Sequence, residues 1–499
     1  MYSPMISSSK YSIYPERERL TDPMRAVVGV AHAGPRVSRW RGIILASPQR
    51  LHLQITCNPM RPVKASLDIW PPFPIAMDYS VWHFLGYKYR GAADEENVIA
   101  ALEHRDRISD IHVFDLTRRR FERLFPAMLE PFPALTILNL SAPFSTPPAL
   151  LPGTFLGGYV PRLRSFTLRG IAFPTLPKFV LRATHIVTLH LLDMPSSEYM
   201  CLSPEAMATC LLALPNLETL SIGFELPPLI PRQTTVPARP ALTHAVLPSL
   251  RNFIFGGISG YLEDFIARID TPLLDQLEIS FSSDFISATP QLHQFVGHAQ
   301  SLRPLNHAQV KFSPFVITIT LGSPAHFLLE ICYYKGPDLL STVTQLPDRL
   351  LSSVREICND RFSYLPHVDQ LDIYEGYNLE LVGNIDGPSQ WLEILRPFSS
   401  VRSLRVSKKL EPLVAAALRE LTGERMMEVL PALESISLDE LESCASARDA
   451  EETASTRNQF PILILRWVIT TSHFPFQPRS VFSRSASVRA SSVICCGCV

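Results

Sequence analysis

Few residues in this chain have the type and spacing that chemistry needs, and each has a competing structural reading. The run Cys495-Cys496-Gly497-Cys498-Val499 gathers three thiols within four residues. Prenylation would use Cys496, but Gly497 and Cys498 are poor substitutes for the two aliphatic middle positions. Tetrahedral zinc would need a spaced second pair of ligands, which this run lacks. Arg118-Arg119-Arg120 with Arg123 is a local concentration of positive charge. Glu122 and Glu130 break its field, and no glycine-rich loop accompanies it as a phosphate cradle would require. A solvated helix face is the expectation there. The 14 histidines do not cluster at metal-ligand spacing; His185 and His190 flank one strand-like segment, where an exposed face is expected. Gly157-Gly158 belongs to no nucleophile elbow or P-loop, and no H-E-x-x-H motif occurs. Asn139-Leu140-Ser141 is a formal glycosylation sequon set in a strand-like segment of a chain without a signal sequence, so it is discounted. These residues name no reaction. The expectation is a chain that is not an enzyme and uses no metal or cofactor.

What positions any functional surface here is a repeat. Proline, one residue, leucine, two residues, then two apolar residues separated by one recur along the chain. The pattern stands as Pro133-Ala-Leu135-Thr-Ile-Leu138-Asn-Leu140 and as Pro161-Arg-Leu163-Arg-Ser-Phe166-Thr-Leu168. It returns from Pro215, Pro248, Pro272, Pro366 and Pro431, and without proline at Ile108, Ile186 and Val401. Successive first apolar positions lie 27, 28, 23, 31, 33 and 24 residues apart, and after a gap 33 and 32. A period of roughly 20–35 residues around an L-x-x-L-x-L core is the leucine-rich-repeat signature. The last two apolar residues, two apart, share one face of a short strand. Pro204 to Leu214, with Ser203 as N-cap, reads as one of the intervening helices. The fold class expected is α/β, a leucine-rich-repeat-like solenoid in which short parallel strands alternate with helices and stacked units share one core.

Between 280 and 365 the pattern lapses. Val310-Lys-Phe312, Phe315 to Leu321 and Phe327 to Ile331 have strand character, and 339–358 reads as a helix. These are either variant repeats or a short meander inserted in the solenoid.

Within a solenoid, the residue between the last two apolar positions faces outward onto the binding surface. That places Asn139, Thr167, His190, Ser221, Glu278, Asp372 and Arg405 on a partner-binding surface, in line with Ile254 and Ser437. The set is mixed and mostly polar with no dominant sign, which fits a protein partner better than nucleic acid.

Composition agrees. The 44 prolines and 21 glycines in 499 residues invert the usual proportions (about 5% and 7%), yet 46% of residues are hydrophobic and 19% charged. Disordered chains are polar and charged instead. Net charge is −1, so no overall field draws the protein to nucleic acid or an anionic membrane. No run approaches the roughly 18 apolar residues of a membrane span. The opening residues lack an apolar signal core, and 9 scattered cysteines make no disulfide framework. A cytoplasmic or nuclear location is expected.

Beyond the period, the wording resembles the fungal F-box/leucine-rich-repeat proteins over roughly residues 36–440. The stretches from Ile44 to Leu51, Leu67 to Ile75, Asn97 to His104, Ser203 to Cys210, Tyr261 to Asp270 and Gly423 to Leu433 carry the resemblance, in order along the chain. In that family a helical F-box docks on a Skp-type adaptor of a cullin–RING ubiquitin ligase, and the repeats hold the protein to be ubiquitylated. Val37-Ser-Arg-Trp40-Arg41-Gly-Ile43-Ile44-Leu45-Ala-Ser47-Pro48 looks like the end of an F-box, with one residue fewer between Val37 and Trp40. The module's opening is not recognisable in 1–35, so the F-box is incomplete. The resemblance assigns Val37, Trp40, Ile43 and Ile44 to the adaptor-binding module. It implies a substrate-recognition subunit of an SCF-type ligase with a Skp-type adaptor and an unknown target protein as partners. The alternative is a repeat scaffold that binds a protein without ligase coupling. The organisation expected is 1–35 unassigned (disordered or a mispredicted start), 36–57 partial F-box, 58–440 solenoid and 441–499 a disordered or aberrant tail.

Overall fold

Among the described residues, eight of the ten repeats open on the same turn. The amide of the first apolar residue donates to the carbonyl three positions back: Leu135 to Phe132 (3.2 Å), Leu163 to Val160 (3.3 Å), Leu217 to Leu214 (3.2 Å) and Leu250 to Leu247 (3.3 Å). Leu274 to Thr271 and Leu433 to Leu430, both 3.3 Å, continue the series. The repeat proline is therefore the second residue of a β-turn, where its fixed φ is already correct and no amide is needed. The same turn closes without proline between Ala183 and Ile186 (3.3 Å) and between Phe398 and Val401 (3.2 Å).

From each turn the chain runs into a strand. The computed structural model describes residues 53–57, 62–64, 67, 73–79, 92–114, 116–143, 148–195, 202–224, 244–282, 289–299, 302, 306–313, 316–322, 326–332, 367–376, 388–420, 429–439 and 466–468. Sixteen strands form one sheet. They are β1 (Leu53–Thr56), β2 (Ile75–Tyr79), β3 (Ile108–Val113), β4 (Ile137–Ser141), β5 (Ser165–Arg169) and β6 (Thr188–Met194). Next come β7 (Thr219–Phe224), β8 (Asn252–Gly257), β9 (Gln276–Ser282), β10 (His307–Ser313), β11 (Val316–Leu321) and β12 (Phe327–Cys332). The series ends with β13 (Gln370–Glu375), β14 (Ser403–Ser407), β15 (Ser435–Asp439) and β16 (Arg466–Val468).

Strands β1 to β9 follow one another in parallel, as do β13 to β15. Between these runs the order is β9-β12-β11-β10-β13. Strands β10, β11 and β12 pair antiparallel, while β12 lies parallel to β9 and β10 parallel to β13. The segment that lost the repeat pattern is thus a meander, the second of the two expected readings. An odd number of antiparallel strands returns the original direction, so the parallel series resumes on its far side.

Alternation within each strand sends one set of residues into a single continuous core. It includes Leu138 and Leu140 of β4, Phe166 and Leu168 of β5, and Phe253 and Phe255 of β8. Short helices cover that side: α1 (Ala92–Leu102), α2 (Arg118–Leu124), α3 (Leu176–Val180), α4 (Pro204–Leu211), α5 (Ser259–Ile266), α6 (Pro290–His298), α7 (Pro388–Leu395) and α8 (Glu411–Glu420). The cap expected on α4 is present, with Ser203 Oγ accepting from the Ala206 amide at 3.2 Å. One cap is supplied from outside its own helix. The Glu263 carboxylate of α5 accepts from the amides of Gln291 (2.7 Å) and Leu292 (2.9 Å) in the first turn of α6. Phe179 of α3 meets Phe166 of the sheet at a ring separation of 5.2 Å.

Two boundaries differ from expectation. Strand β1 begins at Leu53, inside the segment assigned to the partial F-box, and its pairing with β2 makes these residues part of the sheet. Within the expected tail, Arg466–Val468 pair antiparallel with β15. Val37, Trp40, Ile43 and Ile44 lie outside the described residues, as does the helix expected at 339–358.

Candidate functional site

Parallel register converts a sequence position into a surface. Because each strand pairs with the next at the same repeat position, the outward residues stand side by side, about 4.8 Å apart. The structure places Asn139 beside Thr167, then His190, Ser221, Ile254 and Glu278. The meander carries the row onward through Leu328, Thr320 and Gln309 to Asp372, Arg405 and Ser437. Every outward residue expected from the repeat therefore lies on one row across the sheet. Not all are accessible. Thr167 is 7% exposed and Ser221 1%, so these two short side chains serve the sheet rather than offer themselves to a partner.

One pair on this face has the look of a nucleophile and its base. His190 Nδ1 and Ser221 Oγ are 2.7 Å apart across β6 and β7. Burial pulls the His190 pKa down, which keeps the ring neutral. A working hydroxyl must reach substrate, and Ser221 is buried. Among the described residues no carboxylate orients the other ring nitrogen. The pair is a cross-strand hydrogen bond without the remaining requirements of nucleophilic catalysis. Sequence reasoning missed it because the partners lie 31 residues apart, although their equal repeat positions could have revealed it.

Charge gathers at the other end of the row. His307 Nε2 lies 3.0 Å from Asp372 Oδ2, and an Arg405 guanidinium nitrogen lies 3.7 Å from the same oxygen. Tyr374 donates to Gln309 Oε1 at 3.4 Å, and Ser407 donates to Glu375. On the neighbouring strands, burial pushes the carboxyls of Glu278 and Glu330 up; Glu278 adds repulsion at Glu330, and Lys311 opposes it. Cys332 sits beside Ser280 (3.3 Å), and burial pushes its thiol up to about 11. It stays protonated at neutral pH and makes a poor nucleophile.

Other expected sites resolve into structure. Arg120 and Arg123 of α2 both reach Glu95 of α1, at 3.3 and 2.9 Å, and Glu95 is only 8% exposed in its side chain. Half of the basic cluster therefore neutralises a buried acid, while Arg118 pairs locally with Glu122 at 2.7 Å. The solvated-face expectation missed this because Glu95 lies on a different helix. His185 is exposed, as expected, whereas His190 is half-buried. Among the described residues no three His, Cys, Asp or Glu side chains converge as a metal ion would require. No helix among them is long and apolar enough to cross a membrane.

With that geometry in hand, similarity to known proteins adds little. The sequence matches no protein-family model and no curated protein. Among solved structures it is similar to the leucine-rich-repeat-containing protein LegL7 from Legionella pneumophila, at 11% identity and a TM-score of 0.26 over 78% of this chain and 90% of that one. The repeat-like α/β fold rests on the strand ladder itself.

Proposed function

We propose that this protein is a non-catalytic scaffold of the leucine-rich-repeat type that captures a protein partner on the outer face of its sheet. The observation that carries the proposal is the register row running from Asn139 to Ser437, which carries charge on either side of the meander, at Glu278 before it and at Asp372 and Arg405 after it. A solenoid offers such a face as an extended binding surface, and side chains of both signs there supply specificity. The test is affinity capture with the full chain beside two variants. Arg405→Glu with Lys311→Glu should lose a partner that Arg119→Glu, on the helix side, retains. Equal recovery by all three would overturn the assignment of the surface.

Coupling to a ubiquitin ligase is the narrower form of this proposal. It rests on the sequence resemblance from Val37 to Pro48 and on the family wording along the chain. A full chain that co-purifies with a fungal Skp-type adaptor supports it. Absence of that complex leaves the plain scaffold, in a cytoplasmic or nuclear setting.

A further inference from the structure

The leading edge of the strands, away from the outer face, carries a second feature. There the residue just before each strand is fixed by a repeated bond pair. The Arg164 carbonyl accepts from the amides of Val187 (2.8 Å) and Thr188 (2.9 Å), and the Val187 carbonyl accepts from those of Glu218 (2.8 Å) and Thr219 (3.1 Å). Arg164, Val187, Glu218 and Arg251 therefore stand in line on β5 to β8. Elsewhere on this edge, adjacent opposite charges pair: Arg251 with Asp275 at 2.8 Å, Arg402 with Glu434 at 3.7 Å. Val187 interrupts that scheme. It separates Arg164 from Glu218, and Arg251 is engaged with Asp275, so neither Arg164 nor Glu218 has an ion-pair partner among the described residues.

A groove of about 640 Å³ opens at this interruption, within the range of roughly 300–1,000 Å³ that ligand clefts occupy. Arg162 and Arg164 line one end, Asn216 and Glu218 the other, and His185 and Val187, leading into the strand between, lie in the middle. Arg162 is likewise exposed and, among the described residues, unpaired. The groove is thus positive at one end and negative at the other, with an apolar step in the middle. Two strand spacings separate Arg164 from Glu218, roughly 9.6 Å. Three residues of a polyproline II chain, one full turn, cover about the same length, roughly 9.3 Å, and bring the side chain back to the same face.

We propose that this groove docks a peptide segment in the polyproline II conformation, carrying an acidic side chain and, three positions away on the same face, a basic one. The acid lies between Arg162 and Arg164, the base against Glu218, and the unpaired Asn216 amide can meet the peptide backbone. A polyanion fits less well, because Glu218 repels it. This site is separate from the outer face, so either proposal can fail without the other.

Fluorescence anisotropy on the full chain tests it with four labelled ten-residue peptides on a Gly/Ser background: acid and base three apart, two acids, two bases, and neutral. The acid–base peptide should bind tightest, by about 2- to 5-fold per charge, the range of exposed ion pairs. Arg164→Ala should remove the preference for the acid, and Glu218→Arg should shift the preference to the two-acid peptide. Both side chains are exposed, so circular dichroism melts should match the parent. Equal binding of all four peptides, an unchanged ranking in Glu218→Arg, or displacement by millimolar inorganic phosphate (a simple anion site) would each overturn the proposal.

Discussion

The parallel run β3 to β9 and the meander β10 to β12 solve the same burial problem by different wiring. In the parallel run each strand needs a crossover, and a turn, often built on proline, aims the chain back into the sheet. In the meander, neighbouring strands reverse directly. Yet the core rows pass through both without a break: Leu277 of β9 stands beside Phe327, Phe327 beside Leu321, and Leu321 beside Ala308. Side-chain alternation has period 2 in either direction, so a sheet can change strand direction and keep its faces. What changes is the outer surface. Along β4 to β8 the row through Asn139, Thr167, Ser221 and Ile254 carries no Asp, Glu, Lys or Arg, and the charge of Arg169 beside it is paired with Asp193, whereas β9, the meander and the strands after it carry Glu278, Glu330, Lys311, Asp372 and Arg405.

The hardest test of this contrast is at the junction. Trp391 of α7 is buried and packs on Phe312 of β10 at a ring separation of 5.2 Å. Trp391→Ala should cost about 3–5 kcal/mol. Because stacked units depend mainly on their neighbours, hydrogen exchange should show protection lost in β10 to β14 and kept in β3 to β7. Uniform loss would mean that the two regions fold as one unit. In the parallel run, Ser203→Ala removes the α4 cap and should cost about 1 kcal/mol in denaturant melts. Smaller again is the turn. Pro161→Ala should destabilise and Thr184→Pro stabilise, each by roughly 0.4–1 kcal/mol, if both turns place that residue alike.

Acid should separate the regions by sign. Burial raises the Glu330 carboxyl, so its contribution is fully present below the ordinary glutamate range and is lost as pH rises through the raised value. Glu330→Gln should therefore stabilise the protein at neutral pH, with the gain fading on acidification. His190 is shifted down by burial, so its contribution is present above the ordinary histidine range and is lost as pH falls through the lowered value. His190→Gln should flatten stability across that window. Melting temperatures against pH for the two variants check both signs.

Much of the parallel run is legible in the residues. Leu135, Leu138 and Leu140 give a turn and two inward positions, and Asn139 between them is outward, because only local geometry is involved. Proline at Pro133 or Pro161 marks the turn for the same reason. The wiring of β10 to β12 is not legible, since Val310, Ile319 and Leu329 would alternate identically as parallel repeats. Nor are the contacts that decide what each candidate residue does. Arg123 reaches Glu95 from 28 residues away and His307 reaches Asp372 from 65, and no local period encodes such partners.

By itself, then, the sequence determined the period, the turn and the side of the sheet on which each residue stands, because these follow from steric preference and alternation within a few residues. Only the tertiary structure decided which strands are neighbours, and through them that Ser221 is covered, that Arg120 and Arg123 serve Glu95, and that Val187 leaves Arg164 and Glu218 unpaired among the described residues. Burial and ion pairing depend on what another strand or helix brings alongside, and that is fixed only when the units stack.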